Sequence, residues 1–137
     1  MAVIDARGAV LGRLASVVTK RLLSGEEITV INVEHALLSG RLENSFEEYF
    51  AAYNRGKAIR GPEFPRMPDR LFRRTVRGML PFRTKRGRDA YRRLKVYIGT
   101  PSQIKSEEVE RIQLAKEGRK YIELGKISEM LGARFGR

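Results

Sequence analysis

AVIDARGAVLGRLASVVTKRLLSGEEITVINVEHALLSG, residues 2–40, breaks at its turn residues into three pieces of different periodicity. "AVID" is a short β-favouring run that ends at Asp5 and gives way to a glycine-containing turn. In "VLGRLASVVTKRLLSG" Leu11, Leu14, Ala15, Val18 and Leu22 recur at helical spacing while Arg13, Ser16 and Lys20 take the other side, and Gly25 fits a C-terminal cap. "EITVINVEHALLSG" is rich in Ile and Val without clean alternation, so it is expected to be one strand buried on both faces. Strand, helix and strand at this spacing form a right-handed crossover, which places the chain in the α/β class with a parallel sheet.

Outward from this unit, "RLENSFEEYFAAYN" (41–54) predicts an amphipathic helix with Leu42, Phe46, Tyr49, Phe50 and Tyr53 on one face. Residues 55–68 hold glycines and prolines that cannot continue a helix and are expected to form an extended arm. Such a basic segment buries too little apolar surface to order without its partner. "KVYIG" (95–99) reads as a further core strand. A helix is expected after Ser106, with Glu107 and Glu108 in its first turn, and a short one near "GKISEMLG".

The chain of 137 residues is long enough for one domain spanning 1–137 with its own core. It has no cysteine, which excludes disulfides, thiolate metal sites and thiol redox chemistry. Asp5, Arg7 and Arg13 interrupt the apolar N-terminus as a signal peptide, and no run reaches the ~18 apolar residues of a membrane span. A cytoplasmic protein with no membrane partner is expected.

The net charge is +12. Residues 55–95 carry fifteen basic groups against Glu63, Asp69 and Asp89, so this segment alone accounts for the whole surplus. The block repels itself unless a polyanion neutralises it. Its preference for arginine over lysine suits bidentate phosphate contacts and stacking on bases, which points to nucleic acid rather than a lipid surface.

At about 100° per residue, Arg70, Arg73, Arg74 and Arg77 form one stripe of a helix over 69–79, with Leu71, Phe72, Thr75, Val76 and Met79 opposite. In residues 85–94, Lys85, Arg86, Arg88, Arg92 and Arg93 share a broad face opposite Ala90, Tyr91 and Leu94. Pro81 and Gly87 punctuate the pair, so two separate, angled helices are expected. The candidate RNA-binding residues are these cations together with Arg83, the arm residues Arg55, Lys57, Arg60 and Arg66, and Arg7 at the start of the first helix. A merely solvated basic face is the alternative, and the scarcity of acids in the block argues against it.

Elsewhere the chemistry is sparse. "DARGAVLGR" matches neither G-x-G-x-x-G nor a loop ending in Gly-Lys-Ser/Thr, and reads as a tight turn. His35 is the single histidine and reads as packed or surface-exposed. Glu26/Glu27, Glu47/Glu48 and Glu107/Glu108 are sequence neighbours rather than acid/base couples. No catalytic site, cofactor, metal or small-molecule substrate is expected. "ISEMLGARFGR" has a faint helix-turn-helix look, the basis of an alternative reading as a DNA-binding chromatin or regulatory module. An RNA-modifying enzyme is a third reading, opposed by the lack of a cofactor loop or catalytic constellation.

"VRGMLP" at 76–81, "GR" at 87–88 and "LKVYIG" at 94–99 resemble the signature of the universal large-ribosomal-subunit protein thirteen family. "DARGAVLGRLAS" and "INVEHALLSG" are similar to its opening strand, helix and second strand, and "YIELGKISEMLG" to its closing segment, so the likeness spans essentially the whole chain. The form "RGPEFPRMPDRLFRRTVRGMLPFRTKRGRDA" and the short C-terminus resemble the archaeal type. Phe82 departs from the pattern, since many relatives have a polar or basic residue there. The resemblance implies a three-layer α/β/α domain with a small, mainly parallel four-stranded sheet. It also implies a structural, non-catalytic component of the large (50S) subunit that binds 23S rRNA early in assembly, beside other large-subunit proteins.

Overall fold

The computed structural model describes residues 2–40, 42–54, 66–102, 109–112 and 120–134. β1 (Ala2–Asp5) pairs in parallel with β2 (Ile28–Ile31), Ala2 opposite Ile28 and Asp5 opposite Ile31. Between them runs α1 (Leu11–Leu23), which buries Leu11, Leu14, Ala15, Val18 and Leu22, the stripe its periodicity predicts. Its end is a Schellman turn. Glu26 N–H donates to Arg21 O (3.2 Å) and Gly25 N–H to Leu22 O (3.1 Å), while Gly25 sits at φ +102°, where a side chain would be strained.

A four-stranded sheet, ordered β4-β2-β1-β5, is parallel throughout, with β4 (Leu94–Val96) beside β2 and β5 (Val109–Arg111) beside β1. On one face Ile4, Ile28, Val30, Leu94 and Val96 join Leu14, Val18, Phe72 and Val76 in a single core. On the other face Val3, Thr29 and Ile31 are also buried. Every residue of β2 is therefore shielded, which is why its sequence does not alternate. Fully burying side chains such as Phe72 or Leu14 contributes about 1.5–3 kcal/mol each. With five helices around this sheet, the arrangement fits a three-layer α/β/α fold.

The boundaries of two elements differ from those expected of the sequence. "EITVINVEHALLSG" is not one strand: β2 stops at Ile31, and a 3₁₀ turn (Val33–His35) leads into β3 (Leu37–Ser39), which pairs antiparallel with β6 (Tyr121–Glu123). The break lies at Asn32, in the left-handed region at φ 54°, a conformation that asparagine tolerates better than most residues. Asn32 Nδ2 donates to buried Asp5 Oδ1 (3.3 Å), and Thr100 Oγ1 donates to Asn32 Oδ1 (3.3 Å), so the reversal is tied to the ends of the strands.

The helix expected directly after Ser106 is also not formed at residues 109–111, which are β5; Glu107 and Glu108 lie outside the described residues. Val109 pairs with Val3, and tertiary pairing overrides the local preference. Glu110 is held from the other side by Arg21, whose Nη1 and Nη2 donate to its carboxylate at 2.9 and 3.2 Å. That hydrogen bonding keeps the Glu110 carboxyl below the usual carboxylate range.

α2 (Leu42–Asn54) packs against α5 (Leu124–Met130). Tyr49 reaches the core, but Phe50, expected on the same buried side, is 46% exposed. The side chains of Leu42 and Tyr53 lie outside the described residues.

Candidate nucleic-acid interface

α3 (Pro68–Met79) opens with Pro68 in its first turn and Asp69 beside it, both suited to the exposed N–H groups there. It ends where Leu80 turns extended, as the residue before Pro81 must. Leu71, Phe72 and Val76 are buried beneath it, and Arg70, Arg74 and Arg77 are exposed. Met79 departs from the expected apolar side: it is 42% exposed, its sulfur 3.8 Å from Ser16 Oγ on α1. Leu80, one residue on, takes the buried place instead.

α4 (Lys85–Arg92) starts at Thr84, whose Oγ1 accepts from Gly87 N–H at 3.2 Å and donates to Pro81 O at 2.7 Å. Pro81 breaks the chain between the two helices, as expected. Gly87 does not; it lies inside α4 and is buried against the Pro81–Phe82 backbone, where a side chain would collide. The signature glycine is thus a close-approach residue that sets how α4 folds back on the turn.

The helices are also joined by aromatic rings. The Arg77 guanidinium lies over Phe82 (4.3 Å to the centroid), Phe82 meets Tyr91 edge-on (5.5 Å, 89°), and the Arg73 guanidinium lies over Tyr91 (4.8 Å). Two arginines one helical turn apart on α3 are therefore pinned by two rings beyond its end. A guanidinium stacked on a ring keeps its N–H donors in its own plane, where an oxyanion can meet them. In the sequence Phe82 reads as a departure from the family pattern and Tyr91 as apolar backing. An aromatic residue spaced to meet an arginine on the neighbouring helix was the signal available.

Of the other candidates, Arg83, Lys85, Arg86, Arg88 and Arg92 are exposed on the turn and α4, with Arg92 Nη1 3.8 Å from Asp89 Oδ1. Arg66 is exposed just before α3, close to Gly132 at the end of α5. Arg73 is half-buried, its Nε without a hydrogen-bond partner among the described residues. Arg93 turns inward, contrary to its place on the expected basic face. Its Nη2 donates to Leu22 O at 2.6 Å, satisfying a carbonyl at the C-terminal end of α1. Arg7 is exposed in the turn after β1, at the opposite end of α1, about 20 Å from that cap for a 13-residue helix. Arg55, Lys57 and Arg60, with the expected extended arm up to residue 65, lie outside the described residues.

Residues 1–103 match the model of the family "Ribosomal protein L13". The chain belongs to that family. The matched span contains β1 to β4 and both basic helices. The chain is 50% identical over 137 residues to "Large ribosomal subunit protein uL13" of Archaeoglobus fulgidus, covering 96% of this chain and 88% of that protein. It is 48% identical over 139 residues to the protein of the same name from Methanococcoides burtonii and 49% over 140 residues to that from Methanosarcina barkeri, each covering 98% of this chain and all of the relative. The L13 family is one of ribosomal proteins, not of enzymes, and these relatives are archaeal, in line with the archaeal form of the central segment.

The remaining sequence candidates find structural places. Gly8 turns the chain after β1 at φ +73°, and Arg7 N–H donates to Asp5 Oδ1 (3.0 Å), the tight turn expected of "DARGAVLGR". His35 is half-exposed, between Glu34 (3.4 Å) and Glu123 (3.5 Å). In "ISEMLGARFGR", Ile127 of α5 and Leu131 just after it are buried, and residues 135–137 are outside the described set. Among the described residues no helix is long and apolar enough to cross a membrane.

Proposed function

We propose that this chain is a structural constituent of the large ribosomal subunit, in the cytoplasm, that binds large-subunit rRNA through α3 and α4 and acts early in subunit assembly. One observation carries the reading: a two-helix platform, sealed by Gly87 against Pro81, presents a row of exposed arginines, with Arg77 and half-buried Arg73 stacked on Phe82 and Tyr91. Preorganised cations lose little conformational freedom on meeting a phosphate. Family membership, and the names of relatives that match over nearly the whole chain, support the same reading. On this reading residues 1–137 form one domain, with the basic segment 55–95 leading into β4, and Arg7, Arg66 and the arm cations Arg55, Lys57 and Arg60 extend the contact.

Phosphate and ribose contacts dominate such an interface, because A-form RNA hides its base edges in a deep, narrow groove. Neighbouring large-subunit proteins complete the surroundings. The test is affinity for a 23S rRNA fragment against salt. Neutralising 6–10 phosphates makes affinity fall roughly 10³–10⁵ between 50 and 200 mM salt. Replacing Arg70, Arg74 and Arg77 together with alanine should flatten that slope; an unchanged slope in a folded variant rules out α3 as the contact.

A further inference from the structure

The charge of this protein is divided between its surfaces. From Leu42 to Asn54, α2 carries Glu43, Glu47 and Glu48 and no cation at all, while α3 and α4 carry four cations each against Asp69 and Asp89. At about 100° per residue, Glu43, Phe46, Glu47 and Phe50 fall in one stripe about 100° wide, the i, i+3, i+4, i+7 neighbours of a helix surface. The two rings stack on each other (centroids 5.3 Å apart, planes 26° from parallel), and Phe50 is 46% exposed although nothing polar accompanies its ring. Both carboxylates are exposed, and among the described residues neither is held in an ion pair of the kind that holds Glu110. Glu43 and Glu47, one turn apart, repel each other in the isolated chain. A cation laid between them would relieve that repulsion and cover the rings.

We propose that the stripe Glu43–Phe46–Glu47–Phe50 on α2 is a docking surface for a basic, arginine-bearing segment of a neighbouring protein. The inference rests on the reading of the chain as a large-subunit constituent. In a particle made mostly of polyphosphate, a surface whose two carboxylates have no ion-pair partner among the described residues repels the RNA, and its complement is a cationic protein. Arginine suits it best among the cations. Its guanidinium lies flat on an aromatic face while its N–H fork meets a carboxylate, and arginine is enriched among the residues that dominate interface energies. Tyr49 of the same helix packs against the core and α2 meets α5, while Glu43, Glu47 and Phe50 stay exposed beside half-buried Phe46.

The test places a photoreactive benzophenone side chain at position 50 in cells, isolates large subunits by sedimentation, irradiates them and sequences the adducts. The expected product is an arginine- or lysine-rich segment of one protein, with several-fold less adduct when Glu43→Gln and Glu47→Gln are added at equal incorporation. An adduct to rRNA, to a segment without cations, or insensitive to the two glutamines overturns the proposal, as does no adduct from subunits that contain the chain. Hydrogen exchange over residues 42–54 in the unmodified chain, free and within subunits, is the second readout: protection in subunits is expected, and equal exchange overturns it. A wild-type chain absent from the large-subunit peak refutes the ribosomal reading itself, a different failure from those above.

Discussion

Gly87 in α4 has no room for a side chain because the carbonyl oxygen of Pro81 occupies the place where a Cβ would stand, with Phe82 N only 3.0 Å from it. Both obstacles are main chain, so neither can swing aside. Gly87→Ala should lower stability by roughly 1–3 kcal/mol, the usual cost of overpacking a closed contact, despite alanine's better helix propensity. Urea unfolding measures it, and an unchanged midpoint would mean that the turn yields freely.

The aromatic pins separate two kinds of loss at the basic surface. Phe82→Ala removes the ring beneath Arg77 without removing a charge. RNA-fragment affinity should fall by a factor of a few, for a contact worth about 0.5–1 kcal/mol, while the slope of log affinity against log salt stays as it was. Arg77→Ala should reduce that slope by about one unit as a phosphate contact disappears. Equal slopes for all three proteins would show that Arg77 meets no phosphate.

Arg93 is predicted to behave as a structural residue. Arg93→Ala breaks the bond to Leu22 O and removes a cation from the C-terminal end of α1, with an expected loss of about 1.5–3 kcal/mol for a charged hydrogen bond. RNA titrations of the folded variant should keep the wild-type salt slope. A reduced slope with unchanged stability would return Arg93 to the RNA-facing set.

β5 should loosen in acid. The hydrogen bonds from Arg21 lower the Glu110 carboxyl pKa, so the pair's contribution is complete above the carboxyl's unfolded value and is lost as pH falls through the lowered, folded one. Because the pair is half-exposed, salt should weaken it too. Amide hydrogen exchange at Val109–Arg111 should speed up with acidification relative to β1, after correction for intrinsic rates. Glu110→Gln should remove that dependence; its persistence would assign the acid sensitivity elsewhere.

What the sequence disclosed followed from how strongly each segment was patterned. α1 and α3 show a full apolar stripe, and α3 and α4 separate charge from apolar residues so sharply that a helical projection finds both faces. β3 and β6 are three residues each, too short for a period, and they pair across more than eighty residues of chain. Asn32 interrupts an Ile/Val-rich run through a backbone angle that no pattern of hydrophobicity records. At the basic surface, the identity of the arginines was legible, but their allocation was not. Arg93 is set apart from its neighbours by the register of α4 against α1, and Phe82 is joined to them by the turn after Pro81, both tertiary facts.

The sheet order has a bearing on the moment of synthesis. β2 lies between β1 and β4, yet about 60 residues separate it from β4 along the chain. At translation rates of about 5–20 residues per second, the apolar edge Ile28–Ile31 spends several seconds unclaimed while the arginine-rich segment is being made. β4 closes the edge of β2 that β1 leaves open, and until then the newborn chain is cationic and sticky at once.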